Sequence, residues 1–185
     1  MSEFEKMLNG EIYNPMDKEL IQKREKCKTL CYEYNATPPF EKEKREEIIK
    51  KILGKTGKNF IIEQPFIADY GTNVEIGENF YSNHNLTILD ANKVKFGNNV
   101  FLGPNCAFYP PSHPLDYRER NKGIEWANSI EVGDNVWFGG SVIVLGRVKI
   151  GSNGVIGAGS VVTKDIEDNC VALGSPAKVI RKLKP

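Results

Sequence analysis

IEVGDNVWFGGSVIVLGRVKIGSNGVIGAGSVVTK, residues Ile130–Lys164, carries its own ruler. Val132, Phe138, Val144, Ile150, Ile156 and Val162 are apolar and each stands six residues after the last. Four places on from these leads come Val136, Val142, Val148, Gly154, Ser160 and Ile166, mostly small or β-branched. Gly133, Gly139, Gly151 and Gly157 directly follow four of the leads. A six-residue period is neither the 3.6 of a helix nor the alternation of a strand. Sustained over many units, it predicts short strands joined by corners, three to a triangular coil, stacked as a parallel β-helix. Stacking is needed because no single coil can bury its own lead residues.

Working outward, an irregular copy of the ladder runs upstream. Its leads and fourth-on partners are Ile62/Phe66, Ala68/Thr72, Ile76/Phe80, Ser82/Leu86, Ile88/Asn92, Phe96/Val100 and Leu102/Cys106, then Phe108. The ladder then stops. Residues 109–129, YPPSHPLDYRERNKGIEWANS, hold no six-residue pattern and read as a long excursion thrown out of the coil. Before the ladder, three helices are expected: Ser2–Leu8, Lys18–Tyr34 with Asp17 as N-cap, and Glu41–Leu53 before Gly54. The chain therefore divides into a helical segment, 1–57, and a β-helix, 58–185, that leaves its repeat as a basic tail from Cys170. The fold class is mainly β.

Composition excludes several functions. A chain of 185 residues with 40% hydrophobic residues and a net charge of +1 has no global pull toward nucleic acid or membrane. No apolar run reaches the ~20 residues that a membrane span needs. The N-terminus lacks a basic-then-apolar signal pattern, so a cytoplasmic protein is expected. Cys27, Cys31, Cys106 and Cys170 read as reduced thiols. With only His84 and His113 available, a metal site built from three imidazoles cannot form, and no catalytic metal is expected.

His113 is the leading candidate for chemistry. It lies in the single long excursion, between Ser112 and Pro114, and an imidazole can take a proton near neutral pH. Polar groups available to a ligand include Asp17, Asp69, Asn83 and Glu125, each also readable as a cap, a turn former or a surface charge. Lys164, Lys178, Arg181, Lys182 and Lys184 gather late in the chain, where cations could meet phosphoryl oxygens or merely solubilise a tail.

These residues sit in familiar surroundings. YNPMDKEL, FIADYGTNVEIGENFYSNHNLTILD, SHPLD, NVWFGGSVIV, VIGAGSVVTKDI and GSPAKVIRKL together resemble the maltose and galactoside O-acetyltransferases, of the hexapeptide-repeat acyltransferase superfamily. The resemblance implies a left-handed coil and a homotrimer with active sites between subunits. It implies acetyl-CoA as donor and a sugar hydroxyl as acceptor. By that likeness His113 is the catalytic base. Asp17, Asp69, Asn83 and Glu125 bind acceptor, and Trp137, Gly140, Ala158, Thr163, Lys164, Lys178 and Arg181 contact CoA. An oxyanion donor is expected near Gly139–Ser141. Departures from the family pattern are Ser129 for proline, Gly146-Arg147 for Pro-Gly, Lys178 for arginine, and Ala91 where galactoside-type relatives carry a second acid. Ala91 is expected to lie where the sugar binds. Other acceptors on the same scaffold are an amino sugar, serine, a drug or a lipo-oligosaccharide; a non-catalytic scaffold is a further alternative.

Overall fold

All six lead residues of Ile130–Lys164 are buried, and so are their fourth-on partners. The computed structural model describes residues 1–184; Pro185, the last residue of the expected tail, lies outside the described residues. The expected parallel β-helix is the observed architecture, with three flat faces.

The first face, here the aromatic face, stacks Phe60–Ile62, Phe80–Ser82, Phe101–Leu102, Trp137–Phe138, Val155–Ile156 and Cys170–Gly174 in parallel. The aliphatic face stacks Phe66–Ala68, Leu86–Ile88, Ala107–Tyr109, Ile143–Leu145 and Val161–Val162. The charged face stacks Val74–Glu75, Val94–Phe96, Ile130–Val132 and Lys149–Ile150. Inside, four phenylalanines climb edge to face: Phe80 to Phe96 at 5.2 Å, Phe96 to Phe108 at 4.8 Å, and Phe108 to Phe138 at 5.7 Å between ring centres.

Outward residues give each face its character. Register aligns Ile61, Tyr81, Phe101, Trp137, Val155 and Val171 in one column on the aromatic face. Ile67, Thr87, Ala107, Ile143 and Val161 align on the aliphatic face. The third column is Lys55, Glu75, Lys95, Glu131, Lys149, strictly alternating in sign. Its Lys95–Glu75 and Lys149–Glu131 pairs, at 3.9 and 3.4 Å, are exposed and add little stability. They mark the face turned to water.

The glycines after the leads serve close stacking. A Cβ on Gly133 would lie 2.5 Å from Ser152 Oγ in the next coil. The left-handed corner residue is instead an asparagine two places on: Asn79, Asn99, Asn135, Asn153 and Asn169 all have φ between 55° and 60°. Their amides form a ladder, each Nδ2 donating to the next Oδ1 at 2.9–3.0 Å.

Helices close the open end of the stack. α1 spans Glu3–Leu8, α2 Lys18–Ala36 and α3 Lys42–Ile52. Cys27, Cys31 and Tyr34 of α2 and Ile48, Ile49 and Ile52 of α3 join the coil core. Asn35 takes the place of a strand: its Nδ2 donates to Phe66 O and its Oδ1 accepts from Phe66 N, both at 2.8 Å. That satisfies the first aliphatic strand, whose edge would otherwise be open. At the far end, Cys170 does not leave the repeat as expected. Cys170–Gly174 is the sixth strand of the aromatic face, and Ala177–Lys182 folds back antiparallel upon it. Phe108, the last lead of the upstream ladder, is interior and fully buried.

Candidate active site

The excursion leaves the aliphatic face after Ala107–Tyr109 and is not unstructured. Pro111–Ser112 pairs antiparallel with Trp126–Ala127, Ser112 opposite Trp126. One step further along this two-stranded stem, His113 and Glu125 fall opposite each other. The tip holds a short helix, α4, Tyr117–Arg120, capped by Asp116, whose Oδ1 accepts from Arg118 N at 2.9 Å. The Arg118 guanidinium beside Asp116 holds that carboxyl below the usual range.

His113 is orientated by its own stem. Nδ1 lies 3.2 Å from Ile124 O. A carbonyl only accepts, so Nδ1 carries the proton and Nε2 keeps its lone pair. Nε2 faces Glu125 Oε2 at 3.6 Å. This is beyond a hydrogen bond. The Glu125 side chain is only 15% exposed, against 50% for His113.

Behind Glu125 lies Tyr13. Tyr13 N donates to Glu125 O at 2.9 Å, Glu125 N returns to Tyr13 O at 3.3 Å, and the Tyr13 hydroxyl donates to Glu125 Oε1. Burial, reinforced by the Glu125 carboxylate, pushes the phenol far up. Tyr13 belongs to a second apolar cluster with Met7, Leu20, Tyr70, Ala91 and Ala127. Asn92 pins this cluster by donating to Met7 O, Leu8 O and Ala127 O at 3.1, 3.2 and 2.9 Å. Tyr70 is pushed up to about 12 by burial, against the pull of Arg24, whose Nη1 donates to its hydroxyl at 2.6 Å.

The other candidates divide by position. Asp69 is half-buried at the same edge as the excursion, and burial raises its carboxyl despite Lys28 and Arg24. Asp17 heads α2, where its Oδ1 accepts from Glu19 N at 2.9 Å. Thr163 and Lys164 follow the last aliphatic strand. Thr163 lines a cleft of about 450 Å³ together with Tyr109, Pro110, Trp126, Leu145 and Arg147.

Asn83, Gly140 and Ala158 stand on a different edge, between the aromatic and aliphatic faces. Here Gly139 meets the next coil so closely that a Cβ would lie 2.5 Å from Ala158 N. Asn83 Oδ1 accepts from His84 N at 2.7 Å. Gly139 N donates to Ile156 O and Ser141 N to Pro104 O, at 2.8 and 2.7 Å. Of the three amides expected to hold an oxyanion, Gly140 N–H is the one left without such a partner among the described residues. Trp137 projects from the aromatic face, and Lys178 and Arg181 are exposed on the terminal strand.

One chain therefore joins His113 with Glu125 and sets Asp69 and Thr163 along their edge. It does not join them to Asn83, Gly140 or Trp137, which lie across the aliphatic face. Ala91 is 2% exposed, in one apolar cluster with Tyr13 and Tyr70. Sequence reasoning misses Tyr13, Arg24, Tyr70 and Asp90 as site residues: no six-residue period marks them, although Tyr13, Tyr70 and Asp90 fall within the family-like stretches.

Residues 6–57 match the maltose acetyltransferase hexapeptide capping motif, and residues 129–164 match six bacterial transferase hexapeptide repeats. The chain is 44% identical to the galactoside O-acetyltransferase of Escherichia coli K12, covering 97% of this chain and 88% of that protein. The crystal structure of a maltose O-acetyltransferase from Clostridium difficile 630 superposes with a TM-score of 0.99 at 47% identity, over 100% and 99% of the two chains. A galactoside acetyltransferase in complex with coenzyme A superposes with a TM-score of 0.96 at 43% identity, over 100% and 92%.

Proposed function

Since the chain belongs to the maltose/galactoside O-acetyltransferase family, and is an acetyl-CoA-dependent acetyltransferase of that type, we propose that it acetylates a sugar hydroxyl with His113 as general base. The observation that carries this reading is the His113 ring, with Nδ1 tied to Ile124 O and Nε2 free beside Glu125. An acceptor hydroxyl at Nε2 gives up its proton as its oxygen attacks the thioester carbonyl. The tetrahedral intermediate collapses, the C–S bond breaks, and the CoA thiolate takes the proton back from His113. A positioned base supplies roughly 10²–10⁴ in rate. Gly140 N–H is the donor suited to the oxyanion. All four cysteines are buried, which favours direct attack over an acetyl-enzyme. Unpaired thiols also fit a reducing, cytoplasmic setting.

The donor and amide residues complete the site from a neighbouring copy. Two outward columns are apolar and one is charged, as expected of a prism that gives two faces to neighbours and one to water. Three copies close such an arrangement. Each junction then sets the His113 edge of one copy against the Asn83 and Gly140 edge of the next, with Asp17 and Asp69 on the acceptor side. Trp137, Ala158, Thr163, Lys164, Lys178 and Arg181 line the CoA path.

The direct test is thiol release from acetyl-CoA with glucose, maltose, galactosides, amino sugars, serine and a chloramphenicol-like alcohol as acceptors. Turnover with a sugar is expected, falling at least about a hundredfold in His113→Ala while CoA binding by calorimetry is kept. Near-normal turnover of His113→Ala would reject the base, and activity confined to a non-sugar acceptor would reject the sugar.

A further inference from the structure

The corner Gly146-Arg147 stands between the excursion and Thr163 on one edge of the prism. Leu145, just before the corner, pairs with Tyr109 of the preceding coil. In the following coil its place is taken by Thr163, one step past the Val144–Val162 pair. Ile150 and Ile166 pair again, yet the chain takes five steps from Leu145 to Ile150 and three from Thr163 to Ile166. The corner therefore stands out from the stack by two residues. Both are tied to the roots of the excursion: Gly146 N donates to Tyr109 O and Arg147 N to Ser129 O, each at 2.9 Å.

Arg147 has φ +77°, in the left-handed region. The other side-chain-bearing residues described there are asparagines and Ser141, all short and polar. A long side chain at such a corner is strained, and retained strain points to a task. Arg24, Arg45, Arg118 and Arg120 hydrogen-bond within the chain. Among the described residues the exposed Arg147 guanidinium has no such partner. It borders the cleft of about 450 Å³, together with Ser112, Trp126, Leu145 and Thr163. Ser112 directly precedes His113. The cleft thus leads from the base, past apolar side chains, to a cation and a hydroxyl.

That order matches CoA, whose thiol must lie at the base while its phosphoryl groups lie at the far end of a long arm. On the acetyl-transfer reading above, we infer that Arg147 is a further donor-binding residue, its guanidinium meeting a phosphoryl group of CoA beside Thr163. The planar fork of arginine fits two phosphoryl oxygens, and a neutral sugar offers it no counter-charge. The family pattern has glycine at this place, so the contact belongs to this chain. The diphosphate and the ribose phosphate of CoA offer the same oxygens.

The experiment compares wild type, Arg147→Gly and Arg147→Lys. Calorimetry gives the Kd of CoA and of dephospho-CoA, and thiol release gives the KM of acetyl-CoA and of the sugar. Arg147→Gly should weaken CoA roughly tenfold at low salt, raise the acetyl-CoA KM in step and leave the sugar KM unchanged. Arg147→Lys should recover most of that loss, since it keeps the charge. A loss that persists with dephospho-CoA assigns the diphosphate, and one that vanishes assigns the ribose phosphate. An unchanged Kd for CoA, a parallel rise in the sugar KM, or a lysine variant as weak as glycine overturns the inference. If Arg147→Gly does not fold, Arg147→Gln against Arg147→Lys must show the same difference, and equal affinities there overturn it. With an active wild type these outcomes leave the acetyl-transfer reading standing. A wild type that neither binds CoA nor releases thiol rejects that reading and this inference with it.

Discussion

Asp90 is fully buried and acts as the hub of the turn that carries Asp69. Its Oδ1 accepts from Asp69 N and Tyr70 N at 3.1 and 2.8 Å, and its Oδ2 from Asn73 N at 3.2 Å. Asp90→Ala strands Tyr70 N and Asn73 N, while Asp69 N keeps its 3.3 Å bond to Ile88 O; at about 1–3 kcal/mol for each stranded donor, a loss of several kcal/mol is expected in urea unfolding. Burial outweighs those donors and pushes the carboxyl up to about 6. A raised folded-state value means that the contribution is full below the unfolded value and is lost as pH rises through about 6. The stability gap between wild type and Asp90→Ala should therefore narrow from pH 4.5 to 7.5; a gap that widens would contradict this. At this scale His113 is legible in the sequence because it is the only histidine in the only excursion. Tyr13 is not, because its partner stands 112 residues away and no local period joins them.

Elements are the scale at which the sequence speaks most clearly. The six-residue leads identify the inward positions directly, since inward and outward residues differ in hydropathy. The asparagine ladder is hidden, because the coils differ in length: successive rungs lie 20, 36, 18 and 16 residues apart. The excursion's stem is hidden as well, since a pairing of only two residues on each strand, with a proline in it, shows no alternation. The ladder makes its own prediction. Asn135 has φ +59°, accepts from Asn99 Nδ2 at 3.0 Å and donates to Asn153 Oδ1 at 2.9 Å. Both Asn135→Gly and Asn135→Ala lose those bonds, but alanine also pays about 1–2 kcal/mol for the left-handed backbone. Thermal unfolding should rank wild type above Asn135→Gly, and Asn135→Gly above Asn135→Ala. Alanine as the more stable variant would show that the corner is not held in that conformation.

For the whole molecule, the separation of edges carries the account. His113 and Glu125 stand on one edge of the prism; Asn83 and Gly140 stand on another. The sequence names these residues, and a site between subunits, through a family likeness, but it does not say which of them share an edge. That follows only from the coil count and from the corner each residue occupies. In the proposed trimer, the two apolar faces would be the ones covered and the charged face the one left to water, and assembly would bring residues on separate edges together.

Mixing two inactive variants tests this most directly. His113→Ala and Asn83→Ala are each purified, then dissociated and reassembled together, and thiol release from acetyl-CoA is measured with the sugar acceptor. A junction between unlike copies, taken in one direction, holds an intact His113 and an intact Asn83. Equal mixing should therefore restore about a quarter of the wild-type sites in a closed trimer. Activity no greater than the sum of the separate variants, or full activity of either variant alone, would contradict a site shared between neighbouring chains.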